Sequence, residues 1–283
     1  MVKAERIVVA VVVLYNPNRL VLKNILTYHP FLENIVIVDN SETANEEILD
    51  DLKKMLKTHL IVNHENRGIA AALNQGIEKA ILLGGEWILT MDQDSYFETD
   101  MLKNYFKLFN EINDKVKIAA LGPKYEKENS KEQMSKVENL ITSGTLLNAE
   151  VFKKIKGYDE KLFIDEVDND YCYRTQIEGY NLYQCNNIFM NHALGNKKEI
   201  TSIFGNKKTR ILHAPIRLYY VVRNSLYMSV KYKNIFPIAI KKTNRDVIVR
   251  IKNNLLYGNE KWSTIKFLVL GILHFKKRRF GKY

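Results

Sequence analysis

The stretch Trp87-Ile88-Leu89-Thr90-Met91-Asp92-Gln93-Asp94 decides the fold of this chain. It is an apolar run too short for an ordinary helix, and it ends in two carboxylates with one residue between them. We interpret it as a buried parallel strand that brings Asp92 and Asp94 to its carboxyl end, where open α/β sheets bind ligands. Side chains two positions apart on an extended chain point the same way. The pair therefore predicts a site for Mg²⁺ or Mn²⁺, and a solvated turn is the alternative.

Three further apolar runs precede this stretch. They are Ile7–Leu14, Ile35–Val38 and Leu60–Val62, and amphipathic helical patterns separate them. Strands that alternate with helices in this way predict a parallel, doubly wound α/β sheet with right-handed crossovers.

The chain after residue 95 is less regular. We expect a helix from about Asp100 to Ile112, strands over Val116–Leu121 and Val137–Ser143, and a polar, mobile loop over Lys124–Lys136. After His192 the patterns are mainly helical. We therefore expect a catalytic α/β domain over residues 1–215 and a basic helical extension over residues 216–283.

Composition narrows the class of protein. Of the 283 residues 46% are hydrophobic, which is enough for a sizeable core, and the two cysteines provide neither a disulfide framework nor a metal-ligand spacing. Lys3, Arg6 and the following apolar run have no small-residue cleavage site, and no stretch approaches the roughly 20 apolar residues of a spanning helix. We expect a cytoplasmic protein.

Positive charge is concentrated in the last part of the chain. From Lys231 to Tyr283 there are 14 Lys and Arg against two acids, a net charge of +12 (14 − 2), which leaves −1 (11 − 12) for the first 230 residues. This extension could meet an anionic membrane surface, aided by Trp262 and Phe275, or form a dimer contact, or be an ordinary packed helix with a solvated end. A nucleic-acid binder is disfavoured because the chain has no recognisable nucleic-acid module.

An acidic cluster, Asp165-Glu166-Val167-Asp168-Asn169-Asp170, opens another helical pattern. Acids are common at a helix amino terminus, so capping is the simple interpretation. Four carboxylates within six residues exceed what capping needs, and they repel one another unless a cation or a substrate balances them. We favour a functional role.

Several motifs together resemble a known family. They occur in the order Tyr15-Asn16-Pro17, Val38-Asp39-Asn40-Ser41, Asn66-Arg67-Gly68-Ile69-Ala70-Ala71-Ala72-Leu73-Asn74, Asp92-Gln93-Asp94-Ser95, Leu162-Phe163-Ile164-Asp165 and Val167-Asp168-Asn169-Asp170-Tyr171-Cys172-Tyr173-Arg174. The set resembles the family 2 glycosyltransferases, in particular their rhamnosyltransferase-like branch. The resemblance implies the GT-A fold, a Rossmann-like doubly wound mixed sheet, with a nucleotide-diphosphate-sugar donor and inversion at the anomeric carbon. A dehydrogenase is disfavoured because no Gly-x-Gly-x-x-Gly follows the first strand.

The resemblance assigns roles to individual residues. Asp39 matches the residue that reads the pyrimidine base, and Arg67 and Gly68 match a turn beside the nucleotide. The full set implied to contact the donor nucleotide is Tyr15, Asn16, Pro17, Asp39, Asn40, Arg67, Gly68, Asn74, Asp92 and Gln93. Thr145 and the Ser143-Gly144 turn are expected to touch donor or acceptor.

The resemblance also implies a metal site and a base. Asp92 and Asp94 match the metal-binding pair, and His192 matches a later residue that often completes the metal shell. Asp168 falls on the position of the catalytic base. Val167 replaces the Glu that often precedes it, so Asp165 and Glu166 remain rivals, and Asp170 could instead orient or cap.

The implied reaction moves a sugar to a hydroxyl group. The motif spellings suggest dTDP-L-rhamnose as donor, with a UDP-hexose or UDP-galactofuranose as the alternative. The implied acceptor is a cell-surface glycan on a lipid carrier, at the inner face of the membrane.

Overall fold

The computed structural model describes residues 6–112, 117–126, 130–192, 197–201 and 207–283. The chain forms two compact units. The first comprises Met1–Glu160 and Val167–Ala193, and the second comprises Lys161–Glu166 and Leu194–Tyr283. The second unit thus contains more than the predicted extension over residues 216–283. That predicted division into functional domains stays a prediction.

The first unit is built on one mixed sheet of eight strands in the order β3-β2-β1-β4-β8-β6-β9-β7. Its strands are β1 (Val8–Leu14), β2 (Asn34–Asp39), β3 (Thr58–Val62), β4 (Trp87–Asp92), β6 (Ile118–Lys124), β7 (Met134–Val137), β8 (Thr145–Asn148) and β9 (Asn181–Phe189). Strands β1 to β4 are mutually parallel where they pair, as predicted, whereas β8 runs antiparallel to both β4 and β6. All seven residues of β1 are buried, because the strand lies in the interior of the sheet.

Helices flank this sheet, and two short strands form a separate small sheet. The helices of the first unit are α1 (Leu20–Leu26), α2 (Glu46–Lys53), α3 (Ile69–Leu82), α4 (Thr99–Glu111), α5 (Ala149–Lys154) and α6 (Val167–Ile177). Two short strands, β5 (Ser95–Tyr96) and β10 (Asn191–His192), pair antiparallel. Cys172 and Cys185 are buried free thiols, and burial raises the pKa of each to about 12.

The early strands and helices confirm the sequence prediction, and the later part corrects it. The strand predicted over Val137–Ser143 is wrong: the chain pairs earlier, at Met134–Val137, and again at Thr145–Asn148. The pattern did not reveal the latter because it is only four residues long. A hairpin of β11 (Lys197–Thr201) and β12 (Lys207–Ile211) lies where mainly helical structure was expected, since its lysine-rich strands lack an apolar alternation.

Three helices dominate the second unit: α7 (Pro215–Tyr232), α8 (Pro237–Tyr257) and α9 (Lys261–Lys276). Helix α9 packs closely on α7, and Gly271 allows this approach because a Cβ there would lie 2.8 Å from the Tyr219 carbonyl oxygen. In the part of the chain that the structure describes, no helix is long and apolar enough to cross a membrane.

The packing of α3 against β1 and β2 depends on Gly76. A Cβ at this position would overlap Val11 Cγ1 and lie 3.0 Å from Val38 Cγ2. Overpacking a buried contact costs about 1–3 kcal/mol, whereas alanine improves helix propensity over glycine by about 1 kcal/mol. The steric conflict should therefore exceed the gain in propensity.

We predict that Gly76→Ala lowers the free energy of unfolding by up to about 2 kcal/mol, because the gain of about 1 kcal/mol in helix propensity offsets part of the overpacking cost of about 1–3 kcal/mol. Urea denaturation followed by circular dichroism measures the change. Glu78→Ala on the exposed face of the same helix is the control and should change stability by less than about 0.5 kcal/mol. A Gly76→Ala variant as stable as the parent chain would show that β1 and α3 can move apart freely.

Candidate active site

The carboxyl ends of β1 and β4 are joined by an amide side chain. Gln93 Oε1 accepts from the Tyr15 backbone N–H at 2.9 Å, and Gln93 Nε2 donates to the Tyr15 carbonyl at 3.1 Å. Asn24 Nδ2 donates to the Gln93 carbonyl at 2.9 Å. The two loops predicted to meet the nucleotide are therefore fixed to each other, and Gln93 does this through its side chain.

Asp39 ends β2 and is only 1% exposed. Its Oδ1 accepts from the Ser41 hydroxyl at 2.6 Å and the Ser41 N–H at 3.1 Å, and Ser41 Oγ accepts from the Asn16 N–H at 2.8 Å. Asp39 Oδ2 is buried with no hydrogen-bond partner among the described residues. A buried carboxylate oxygen without a donor is costly, so this atom is suited to accept from a bound ligand.

An open groove of about 600 Å³ lies beside this loop. It is lined by Asn16, Pro17 and residues 43–47. Asn16 adopts a left-handed backbone conformation (φ 47°), which turns the chain after β1. The groove provides room for a flat ring next to the Asp39 loop.

Asn40 shapes the loop that follows β3. It is 3% exposed, its Oδ1 accepts from the Arg67 N–H and from Asn63 Nδ2 (both 3.1 Å), and its Nδ2 donates to Asn66 Oδ1 at 3.2 Å. Gly68 then begins α3 at φ 85°, a conformation that favours glycine. Asn40 therefore positions the Arg67-Gly68 turn.

Asn74 on α3 uses its amide within the protein. Its Nδ2 donates to the Tyr158 carbonyl at 3.0 Å and to Glu160 Oε1 at 2.9 Å, and its Oδ1 accepts from the Tyr158 N–H at 2.8 Å. These bonds explain the residue without a nucleotide, so we assign it a structural role in place of the expected contact.

Asp92 and Asp168 both act on the hydroxyl group of Tyr125. Burial, together with the negative charges of Asp92 and Asp168, raises the pKa of Tyr125 from its ordinary value. The Tyr125 hydroxyl donates to the Ser143 carbonyl at 2.6 Å, and Ser143 Oγ accepts from the Asp92 N–H at 2.9 Å. The end of β4 and the first turn of α6 thus present their carboxylates around one tyrosine.

The remaining acids of the cluster have partners of their own. Asp170 is fully buried and its Oδ2 lies 2.7 Å from Arg174 Nε, while the Arg174 guanidinium also donates to the carbonyls of Ile155 and Gly157. Asp165 belongs to the second unit, where its Oδ2 lies 2.6 Å from Arg217 Nε. These ion pairs favour Asp168 over its rival Asp165 for chemistry and agree with an orienting role for Asp170, while the rivalry of Glu166 stays open.

The metal prediction has partial support from the backbone. Ser95 pairs with His192 across β5 and β10, which brings residue 192 next to the Asp92–Asp94 turn. The side chain of His192 lies outside the described residues, and among those described no three His, Cys, Asp or Glu side chains form a metal cluster. Hard carboxylate oxygens remain suitable ligands for Mg²⁺ or Mn²⁺.

Two tyrosines of this site were missed by the sequence analysis. Tyr125 lies within the stretch that was interpreted as a polar loop, and only its contacts with distant residues reveal it. Tyr28 is buried, and burial and the charge of Asp92 raise its pKa. Neither belongs to a quoted motif, and although Tyr125 directly follows β6, that strand was predicted to end at Leu121, so no local signal identified them.

Comparison with known proteins confirms the resemblance. The family model "Glycosyl transferase family 2" matches residues 11–169. The dTDP-rhamnosyl transferase RfbF of Shigella flexneri is 31% identical over 290 residues, which cover 93% of this chain and 92% of that protein.

Solved structures agree on the fold. S. aureus TarS in complex with UDP-GlcNAc superposes with a TM-score of 0.57 at 15% identity, covering 95% of this chain and 80% of that one. GalNAc-T7 with UDP, GalNAc and Mn²⁺ gives a TM-score of 0.54 at 14% identity over 66% of this chain and 44% of that one. The fold is GT-A, and by its sequence the chain belongs to glycosyl transferase family 2.

Proposed function

We propose that this glycosyltransferase moves L-rhamnose from dTDP-L-rhamnose to a hydroxyl group of a cell-surface glycan, with inversion at the anomeric carbon. The observation that carries the proposal is the buried Asp39 Oδ2 that has no hydrogen-bond partner among the described residues, next to an open groove of about 600 Å³. The choice of donor rests on the dTDP-rhamnosyl transferase that is similar along almost its whole length. A UDP-sugar is the alternative donor.

Asp39 accounts for a pyrimidine nucleotide. Thymine and uracil each carry a ring N–H that can donate to a carboxylate, and Asp39 Oδ2 is the buried acceptor without a partner in the described structure. Tyr15, Asn16 and Pro17 line the base, and Arg67 can pair with phosphate, since its side chain is 43% exposed and its ion pair with Glu65 at 3.5 Å is also exposed.

A divalent cation fits the oxygen ligands at the end of β4. Asp92, Asp94 and His192 would hold Mg²⁺ or Mn²⁺, and the bound ion would neutralise charge on the leaving diphosphate. The protein itself fixes the turn that carries these residues, through Ser143 at Asp92 and through the backbone pairing of Ser95 with His192.

Asp168 is proposed to take the proton from the attacking hydroxyl group. It is the second residue of α6, and its Oδ1 accepts from the Asn169 N–H at 2.9 Å, which orients the carboxylate. A base on the acceptor side is required because attack comes from the face opposite the nucleotide.

Removing the base should abolish turnover without affecting the donor. We predict that Asp168→Asn lowers kcat for dTDP release from dTDP-L-rhamnose by about 10²–10⁴-fold, the usual worth of a general base. Its Kd for dTDP should stay within about twofold of the parent value, because the nucleotide groove is unchanged. Asp246→Asn on exposed α8 is the control with the same charge change, and substantial turnover by Asp168→Asn would assign the base elsewhere.

The nucleotide and the metal can be tested without turnover. We predict that dTDP raises the melting temperature more than GDP does, and that Mg²⁺ or Mn²⁺ enhances this effect. Asp39→Asn should weaken dTDP binding by about 10–100-fold, because a charge-assisted hydrogen bond is worth roughly 1.5–3 kcal/mol. Asp50→Asn on exposed α2 serves as control. A preference for UDP would favour the alternative donor. Binding of dTDP that does not depend on metal would contradict the proposed divalent-cation site.

The exposed surface of α9 has the apolar and basic residues expected of a protein that works on a lipid-linked acceptor at a membrane. Its outward stripe consists of Trp262 (85% exposed), Ile265, Val269, Ile272 and Leu273 (40–50%), spaced as one helical face. From Lys261 to Tyr283 the chain has seven basic residues and no acid. Such a helix suits the anionic cytoplasmic surface of a membrane better than a second copy of an equally basic chain.

We predict that the protein sediments with vesicles of phosphatidylglycerol and phosphatidylcholine, and that salt weakens this binding. Trp262→Ser combined with Val269→Ser should reduce vesicle binding by about tenfold, because each buries apolar surface in the interface. Leu82→Ser, which changes a side chain 81% exposed in the first unit, is the matched control. Equal vesicle binding by both variants would contradict the proposal that α9 binds a membrane surface, and it would favour a solvated helix.

A further inference from the structure

The segment immediately before Asp168 has a strained backbone. Phe163, Asp165 and Glu166 have φ values of 63°, 65° and 63°, although none of them is glycine. Left-handed conformations are unfavourable for such residues and persist only where the surroundings enforce them. Residues 161–166 belong to the second unit, and the next residue, Val167, begins α6.

One side chain of α7 binds most of this loop. The Asn224 amide nitrogen donates to the carbonyls of Leu162 (2.8 Å), Ile164 (2.7 Å) and Asp165 (3.2 Å). Asn224 is completely buried. Three carbonyls that converge on one nitrogen define the backbone path of the loop, since other backbone paths would leave these buried groups without partners.

The neighbouring Arg223 adds a second set of bonds. Its Nη2 donates to the carbonyls of Lys161 (3.1 Å) and Leu162 (3.2 Å), and its Nη1 donates to the Gly281 carbonyl at 2.7 Å. The Gly281 N–H in turn donates to the Lys161 carbonyl at 2.9 Å. The last residues of the chain are therefore tied to the loop through Arg223.

Asp165 is a third anchor of the same loop. Arg217 Nη2 donates to Asp165 Oδ1 at 2.9 Å, and Arg217 Nε lies 2.6 Å from Oδ2, so the two side chains form a close ion pair. Arg250 of α8 approaches Oδ1 at 3.8 Å. Helices α7 and α8 thus hold the side chain as well as the backbone of this segment.

We propose that Arg223 and Asn224 are positioning residues for the catalytic base. They fix the strained loop, which ends at Glu166, two residues before Asp168, so the conformation of the loop determines how the chain enters α6 at Val167. This proposal rests on the proposed function, in which Asp168 is the base. A displacement of a reacting group by about 1 Å can cost roughly 10²-fold in rate, so the bonds affect turnover more than binding.

The test compares two amides of the second unit. Asn224→Ala removes the three bonds to the loop, and Asn244→Ala removes an amide whose Oδ1 accepts from the hydroxyls of Ser225 and Ser229, which do not belong to the loop. Deletion of residues 281–283 is the second loop variant, because it removes the Gly281 carbonyl. Each protein is assayed for dTDP release from dTDP-L-rhamnose with an octyl glycoside acceptor, for the Kd of dTDP and for melting temperature.

We expect Asn224→Ala to lower kcat by about 10–100-fold and the deletion to lower it several-fold, both with an unchanged Kd for dTDP. The fall of kcat at low pH reports the pKa of the catalytic base. The pH at which this fall occurs should shift in both loop variants. Asn244→Ala should lower the melting temperature while leaving kcat and the pH of this fall unchanged.

A loop variant that binds dTDP and turns over like the parent chain would overturn the proposal, as would an equal loss of kcat in Asn244→Ala. If Asn224→Ala fails to bind dTDP, the variant lacking residues 281–283 tests the proposal instead, and parental turnover by that variant would overturn it. Failure of the proposed function is a separate outcome, because the parent chain would then not release dTDP or Asp168→Asn would remain active.

Discussion

The parallel pairing of β1 with both β2 and β4 is the constraint on which the site depends. In this register Leu14 lies opposite Asp39 and Val13 lies opposite Asp92. The two acids therefore leave the sheet at the same edge, one on each side of β1. A shift of one residue in either pairing would turn the carboxylate to the opposite face of the sheet. The buried, valine-rich β1 sets this register because its neighbours on both sides are apolar.

The sequence predicts the nucleotide side of the site because its residues follow strand ends. Asp92 was located from the strand pattern, whereas Asp39 and the Arg67-Gly68 turn were assigned by the resemblance to the family, and all of them lie at or after the ends of strands of the sheet. Tyr125 was not predicted, since its role depends on a hydrogen bond to Ser143, which is 18 residues away. Local patterns carry no information on such a contact.

The acidic cluster shows the same limit at closer range. From the sequence, Asp165 and Glu166 were rivals of Asp168 within one short stretch, and Asp170 could instead orient or cap. Their partners separate them: Arg174 neutralises Asp170 from the next helical turn, and Arg217, 52 residues away, engages Asp165. Two positions along a helix also rotate a side chain by about 200°, so Asp168 and Asp170 face different directions. Only the fold supplies these distinctions.

Arg223 is a buried charged residue whose position needs an explanation. It is completely buried, and no carboxylate of the described residues pairs with it. Its guanidinium instead donates to carbonyl oxygens and to the Tyr219 hydroxyl group. It also lies over the aromatic rings of Tyr220 and Phe280. An apolar residue of similar size would often be equally stable at a buried position, so stability alone does not explain a guanidinium there.

What an arginine offers at this position is geometry. Its planar fork of five N–H groups can fix several carbonyls at once, which a lysine ammonium on a flexible stem cannot. In this protein the carbonyls belong to Lys161, Leu162 and Gly281, which are distant in sequence but adjacent in the second unit. The guanidinium group is therefore best understood as a rigid set of donors that holds the backbone of the strained segment before α6 begins.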